Sequence, residues 1–310
     1  MAIPSLELLV NHSDHQVVTV ITRPDAKVGR GRHSQPSAVA QAAHRLGLET
    51  LKPLHPREPE FQQHLSELGL DAVAVVAYGA LIPQTALAIP KHGWINLHFS
   101  LLPAWRGAAP VQRAIEHGDD ITGASTFQLV AALDAGPVYG CMTYRLPPRA
   151  TSGQVLDTLS VDAAPLLVRT LDAIASGSAR PEPQTESEVS YAHKLTSEGA
   201  QVRFDRPAIA VDRLIRACTP APGAWCYFRG TKLGLGPLTT EGSDPTSPGQ
   251  LQESSPRPLA ASQVVATKRS VWVGTATHPV RLGQVTPAGK SAMAAAAWAR
   301  GQRLTSEDHF

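Results

Sequence analysis

The chain has 310 residues, 43% apolar and 17% charged, a globular composition with room for two domains. No stretch approaches the run of about 20 apolar residues that a membrane helix needs, and the opening MAIPSLELLV lacks a basic n-region and a small-residue cleavage site, so a soluble, cytoplasmic protein is expected. The net charge of +2 is uneven: residues 1–199 hold 15 basic against 19 acidic side chains and residues 200–310 hold 13 against 7, a sign that suits a polyanion or a merely solvated surface in the second half.

From Met1 to about Ile174, short β-branched runs alternate with helical patterns, which predicts a parallel sheet covered by helices. A helix opened by Pro4 spans Ile3–Val10, and a strand spans Val17–Thr22. The next loop crowds Arg23, Lys27, Arg30, Arg32 and His33 against Asp25. Helices at Ser37–Leu46, with Ser37 as N-cap, and Phe61–Leu68 precede strands at Ala72–Tyr78 and Trp94–Ser100. Gln112–His117 and Thr151–Ala175 read as helices, with a strand at Ala124–Val130 between them. Ser176–Ser190 is polar, bears prolines and has no periodicity, so the expected division is a first domain over 1–176, a linker over 177–203 and a second domain over 204–310. There the runs Trp225–Arg229, Lys232–Leu235, Val264–Thr267 and Ser270–Gly274 suggest a small antiparallel barrel, and Pro237–Pro258 reads as a mobile surface insertion. Cys141, Cys218 and Cys226 are odd in number and form no CxxC pair, which argues against a disulfide framework or a four-thiolate zinc site.

The residues with chemistry to offer gather after the strand Trp94–Ser100. Asn96 and His98 are two apart, so both point to one face near the carboxyl end, where open α/β sheets hold their ligands. Ser100-Leu101-Leu102-Pro103 and Trp105-Arg106-Gly107-Ala108-Ala109-Pro110 follow, and Asp134 sits in the turn-like Leu133-Asp134-Ala135-Gly136. An amide, an imidazole and a carboxylate can assemble an acyl-transfer site: the amide donates to a developing oxyanion, the imidazole carries the proton of an attacking amine, and the carboxylate orients and charges the imidazole. On spacing alone, a His satisfied by a nearby carbonyl and an Asn capping a turn is the commoner arrangement. A metal reading is weaker, because His98 and Asp134 have no second His at helical or strand spacing.

The run Ile95 to Pro103, its continuation Trp105 to Gln112 and the later Leu133-Asp134-Ala135-Gly136 closely resemble the methionyl-tRNA formyltransferase family. Thr22-Arg23-Pro24-Asp25 with Gly29-Arg30-Gly31, Val75-Val76-Ala77-Tyr78-Gly79, Tyr191 to Leu195 and Pro287-Ala288-Gly289-Lys290 agree with it. The resemblance implies a Rossmann-like α/β formyltransferase domain followed by an OB-like β-barrel. It further implies a monomer that uses 10-formyl-tetrahydrofolate, initiator methionyl-tRNA and no metal. Asn96, His98 and Asp134 would be catalytic, with a protonated His98. Ser100, Leu101, Leu102, Pro103, Tyr78 and Gly79 would hold the folate, and Arg23, Lys27, Arg30 and Arg32 the tRNA. Relatives acting on small amines share the catalytic residues but would not require the basic loop or barrel. The family opens with a strand and glycine turn, whereas Met1 falls inside the first helix, so the sheet is expected to lack its first strand and to be less stable and less active than a longer chain, or to be an inactive tRNA-binding remnant. Pro137 and Phe204 replace an acidic residue and a Trp usual at those places.

Overall fold

The computed structural model describes residues 1–28, 33–239 and 258–310. The chain runs through α1 (Ile3–Val10), β1 (Val20–Ile21), β2 (Ala26–Val28), β3 (His33–Gln35), α2 (Ala38–Arg45), β4 (Thr50–Leu51) and α3 (Pro59–Glu67). It continues with β5 (Val73–Val76), α4 (Gln84–Leu87), β6 (Trp94–His98), α5 (Pro110–His117), β7 (Ile121–Gln128), β8 (Val138–Arg145), α6 (Ser152–Asp162) and α7 (Ala164–Ala175). Prolines open four of these helices, Pro4, Pro59, Pro110 and Pro165, where a missing N–H removes no intrahelical bond. Pro165 also divides the single helix expected over Thr151–Ala175 into α6 and α7. Ser37 caps α2 as expected, its hydroxyl accepting from the Ala40 N–H at 3.0 Å.

Parallel pairing joins β1 to β4 and β5 to β6, with Val73 opposite Trp94 and Val76 opposite Leu97. β7 then lies antiparallel to β6, and β8 follows it, so the larger sheet is mixed rather than wholly parallel. No ladder joins β1 to β5 among the described residues, and Ala74 on β5 is exposed. Phe61, Leu65, Val75, Leu87 and Trp94 form one core against this sheet, while Leu6, Val20, Ala42 and Ala43 form another between α1, α2 and β1. Burying such side chains contributes roughly 1.5–3 kcal/mol for each large one.

Two compact units interleave along the chain. The first comprises 1–108, 123–144 and 156–191; the second comprises 109–122, 145–155 and 192–310. The segments 109–122 and 145–155 thus group with the C-terminal part of the chain. Residues 177–191 belong to the first unit, fixed by the bridges Val138–Glu182 and Arg106–Tyr191. In the second unit α5 packs against α8 (Ala208–Ala217), a helix that the strand-dominated reading of this region missed. It adds β9 (Ala224–Phe228), β10 (Thr231–Leu235), β11 (Val264–Ala266), β12 (Val271–Val273), β13 (Val280–Arg281), β14 (Gln284–Pro287), β15 (Met293–Ala294) and α9 (Ala295–Gln302).

The strands form two antiparallel sheets, β15-β14-β10-β9 and β11-β12-β13, around Val211, Ile215, Val264, Val273 and Trp298. Phe204 is buried in that core, its ring 5.4 Å from Phe310. Burial pushes the Cys218 and Cys226 thiols up to about 11 and about 12, so both pack as small neutral groups. Most of the expected insertion at Pro237–Pro258 lies outside the described residues.

Candidate active site

β6 is buried along most of its length and carries His98 at its carboxyl end, beside the carboxyl end of its parallel neighbour β5. Asn96, two residues earlier, is half-buried, and its amide makes no hydrogen bond among the described residues. The alternation of the strand therefore offers a free amide and an imidazole on one face, as the spacing predicts. His98 Nε2 lies 2.9 Å from the Trp105 carbonyl oxygen. A carbonyl can only accept, so this bond requires the hydrogen on Nε2 and leaves Nδ1 as the basic nitrogen of the neutral ring. Nδ1 faces Asp134 Oδ2 at 3.8 Å, too far for a hydrogen bond but close enough for the charges to act on each other.

Burial works against the protonation of His98. Burial lowers its pKa from 6.5, and the opposing pulls of Asp134 and the Trp105 carbonyl are the smaller causes. His98 is 6% exposed and packs edge-on against Phe127, which explains why desolvation of the imidazolium dominates.

Asp134 sits at φ +47, a left-handed conformation that Asp tolerates better than most residues. Its Oδ2 accepts the Gly107 N–H at 2.7 Å, which ties the 105–110 loop to the turn. Gly136, two residues on, has no room for a Cβ because the Gln128 carbonyl occupies that space. Pro137 fits the same turn through its carbonyl, which accepts the Gln128 N–H at 3.0 Å.

Several side chains that the sequence reading overlooked hold these groups. Gln184 donates from its amide to the carbonyls of Asp134 and Gly136, both at 2.8 Å, and its Oε1 accepts from Arg106 Nε at 2.9 Å. It lies in the stretch taken for a linker, where nothing periodic marks it. Ser190 Oγ accepts the Trp105 N–H at 2.9 Å. Ser125 on β7, opposite His98, accepts the Leu102 N–H and donates to the Ser100 carbonyl, clamping the 100–103 loop. Arg106 is buried and its Nη2 has no partner, a charged donor left over beside the loop.

Ser100 is buried, with its hydroxyl donating to the Ala104 carbonyl at 2.6 Å, while Leu101, Leu102 and Pro103 are half-buried. Tyr78 and Gly79 follow β5 in a turn with left-handed Ala77 and Gly79. The Tyr78 ring packs against the Phe61 and Leu65 core, and burial, then Glu58, raises its pKa. Arg23 is exposed at the entrance to the β2–β3 hairpin. Lys27 lies on β2, and Arg30 and Arg32 lie outside the described residues. Lys52 pairs with Asp25 at 2.6 Å, offsetting the one acidic group among these basic residues. Among the described residues, no third metal ligand joins His98 and Asp134. No helix among them is long and apolar enough to cross a membrane.

Residues 5–171 match the family model for formyl transferase, and residues 194–303 that for the formyl transferase C-terminal domain. A methionyl-tRNA formyltransferase of Thermobifida fusca (strain YX) is 56% identical over 310 residues, covering 100% of this chain and 96% of the relative. One from Salinispora arenicola (strain CNS-205) is 53% identical over 98% of this chain and 95% of the relative. Among solved structures, HypX from Aquifex aeolicus in complex with tetrahydrofolic acid aligns with a TM-score of 0.60 at 19% identity, over 84% of this chain and 43% of that one. The Helicobacter canadensis N-formyltransferase, in complex with folinic acid and dTDP-3-aminofucose, aligns at 0.61 and 14% identity, over 92% and 96%. Those two likenesses establish the α/β fold, and the sequence identities go further: the chain belongs to the methionyl-tRNA formyltransferase family.

Proposed function

We propose that this chain transfers the formyl group of 10-formyl-tetrahydrofolate to the α-amino group of methionine esterified to initiator tRNA. The observation that carries the reading is the grouping of a free Asn96 amide, the buried His98 imidazole and Asp134 at the carboxyl end of β5 and β6. The residues fit a folate co-substrate: the Asn96 amide and the buried Arg106 Nη2 are donors still without partners, and the 100–103 loop and the Tyr78–Gly79 turn flank the strand ends. The co-substrate supplies an activated acyl group, so the chemistry asks of the protein only binding, proton transfer and charge stabilisation.

His98 Nδ1 takes the proton that the amine loses as its nitrogen bonds to the formyl carbon. Asp134 stabilises the imidazolium so formed, and the Trp105 carbonyl keeps the ring oriented. Asn96 donates to the formyl oxygen as negative charge gathers on it. As the old carbon–nitrogen bond breaks, His98 returns its proton to the departing nitrogen and becomes neutral again. Assay with charged initiator tRNA tests the reading; turnover of a nucleotide-sugar amine with none of Met-tRNA would overturn it.

Gln184 acts through Asp134 and Arg106 rather than on substrate. Gln184→Ala is expected to lower kcat by roughly 10–100-fold with KM for folate little changed, because it frees the turn that aims Asp134. Gln184→Glu, which keeps the acceptor for Arg106 but loses both donors, should resemble it. A normal kcat in both would assign Gln184 to the fold alone.

The tRNA side draws on Arg23, Lys27, Arg30 and Arg32 in the first unit and on the basic excess of residues 200–310 in the second. There Tyr227 is half-exposed, and the Lys232 ammonium lies 4.0 Å over the ring of the buried Trp225, on the same strand as Tyr227. Arg30→Leu is expected to slow formylation of Met-tRNA, to reduce its salt slope by about 1 and to leave folate affinity unchanged. An equal loss in both substrates would move the loop to the folate pocket.

A further inference from the structure

We propose that His12, His15 and Asp172 form a binding site for a divalent transition-metal ion of the zinc class, separate from the active site. α1 packs along α7, and the turn leaving α1 places His12 and His15 against Asp172 on α7. The two rings stack with centroids 4.8 Å apart and an interplanar angle of 25°, and both present Nε2 to the same carboxylate oxygen, at 3.6 Å from His12 and 2.9 Å from His15. All three ligand atoms lie within 4.8 Å of one another.

Ligands bonded to a tetrahedral zinc at about 2.0–2.1 Å are separated by about 3.3 Å, so small side-chain adjustments bring this set onto a metal. Two imidazoles and one carboxylate form a borderline donor set that suits Zn2+, Co2+ or Ni2+ rather than Ca2+ or Mg2+. The three side chains are partly buried and leave one side to water, which would complete the coordination. Binding replaces the His15–Asp172 hydrogen bond and moves the proton of each ring from Nε2 to Nδ1, for His12 at the cost of the bond that Nδ1 accepts from the Asp14 N–H at 3.2 Å. The ion would staple the end of α1 to α7, elements that lie on opposite sides of the first unit's chain order but share its packing.

The test uses the full chain stripped by chelator and titrated with Zn2+ against a chromophoric competitor, with Co2+ as a spectroscopic probe. One equivalent should bind at about micromolar affinity and, at 100-fold excess over Kd, raise Tm by roughly 5 °C. His12→Asn, His15→Asn and Asp172→Asn should each weaken that binding at least tenfold while keeping the metal-free Tm. The Co2+ spectrum of the unaltered protein should show nitrogen and oxygen coordination, which keeps the test decisive if a variant misfolds. Absence of one-to-one binding below about 100 μM, unchanged affinity in the variants, or a thiolate-to-cobalt band from the cysteines would each overturn the assignment.

Discussion

Alanine at His98 is expected to lower formyl transfer to Met-tRNA by about 10²–10⁴-fold, and alanine at Asn96 by about 10²–10³-fold. His98 provides a basic nitrogen beside Asp134 in a ring whose tautomer the bond to Trp105 fixes, and Asn96 provides an amide with no structural bond to lose. The two losses should therefore appear in kcat more than in folate binding, and near-normal turnover by either folded variant would remove the acyl-transfer assignment. The pH dependence adds an independent check. Because burial depresses the His98 pKa below 6.5, the neutral base persists into mildly acidic solution, and the acid limb of kcat should fall at a pH below 6.5. The same depression makes a stability contribution that is complete above the unfolded value and is lost as pH falls from 6.5 through the folded pKa. In His98→Ala both the acid limb and that part of the acid sensitivity should vanish together.

The chemistry of this site was more legible in the sequence than its scaffolding. Period-2 spacing places Asn96 and His98 on one face without knowledge of the fold, and Pro4 and Ser37 mark the starts of α1 and α2 because their backbone and side-chain chemistry suits a helix start. Gln184 was invisible for the opposite reason. It works from an extended, aperiodic segment through its amide, and only the return of the chain to Arg106 and Asp134 gives it a role. The direction of the His98 shift was likewise out of reach. Spacing shows that a carboxylate is available, but the balance between its charge and desolvation depends on packing against Phe127 and its surroundings. The grouping of α5 with the second unit was not legible in composition, because α5, short and amphipathic, packs with α8, far along the chain.

Alanine at Asp212 should give the largest loss of stability in the second unit. Asp212 on α8 is 1% exposed and is shared by two arginines: its Oδ1 accepts from Arg149 at 2.7 Å and its Oδ2 from Arg216 at 2.8 Å. Each guanidinium has a further carbonyl partner, Leu238 for Arg149 and Ala150 for Arg216, so the cluster is satisfied only while the carboxylate is present. Removing it leaves two cations facing each other with little water, a change that typically costs about 3–5 kcal/mol. At about 1.5–3 °C per kcal/mol for a chain of this size, Tm should drop by roughly 5–15 °C. Asp212→Asn keeps the volume but not the charge, and should fall between the two. Replacing the exposed Asp205, whose pair with Arg203 is solvated, should leave Tm almost unchanged. The cluster ties the 145–155 segment to α8, so loss of the carboxylate should also speed proteolysis within that segment before the first unit unfolds. A Tm within about 2 °C of the unaltered protein would mean that water reaches the two arginines and that the cluster behaves as a surface pair.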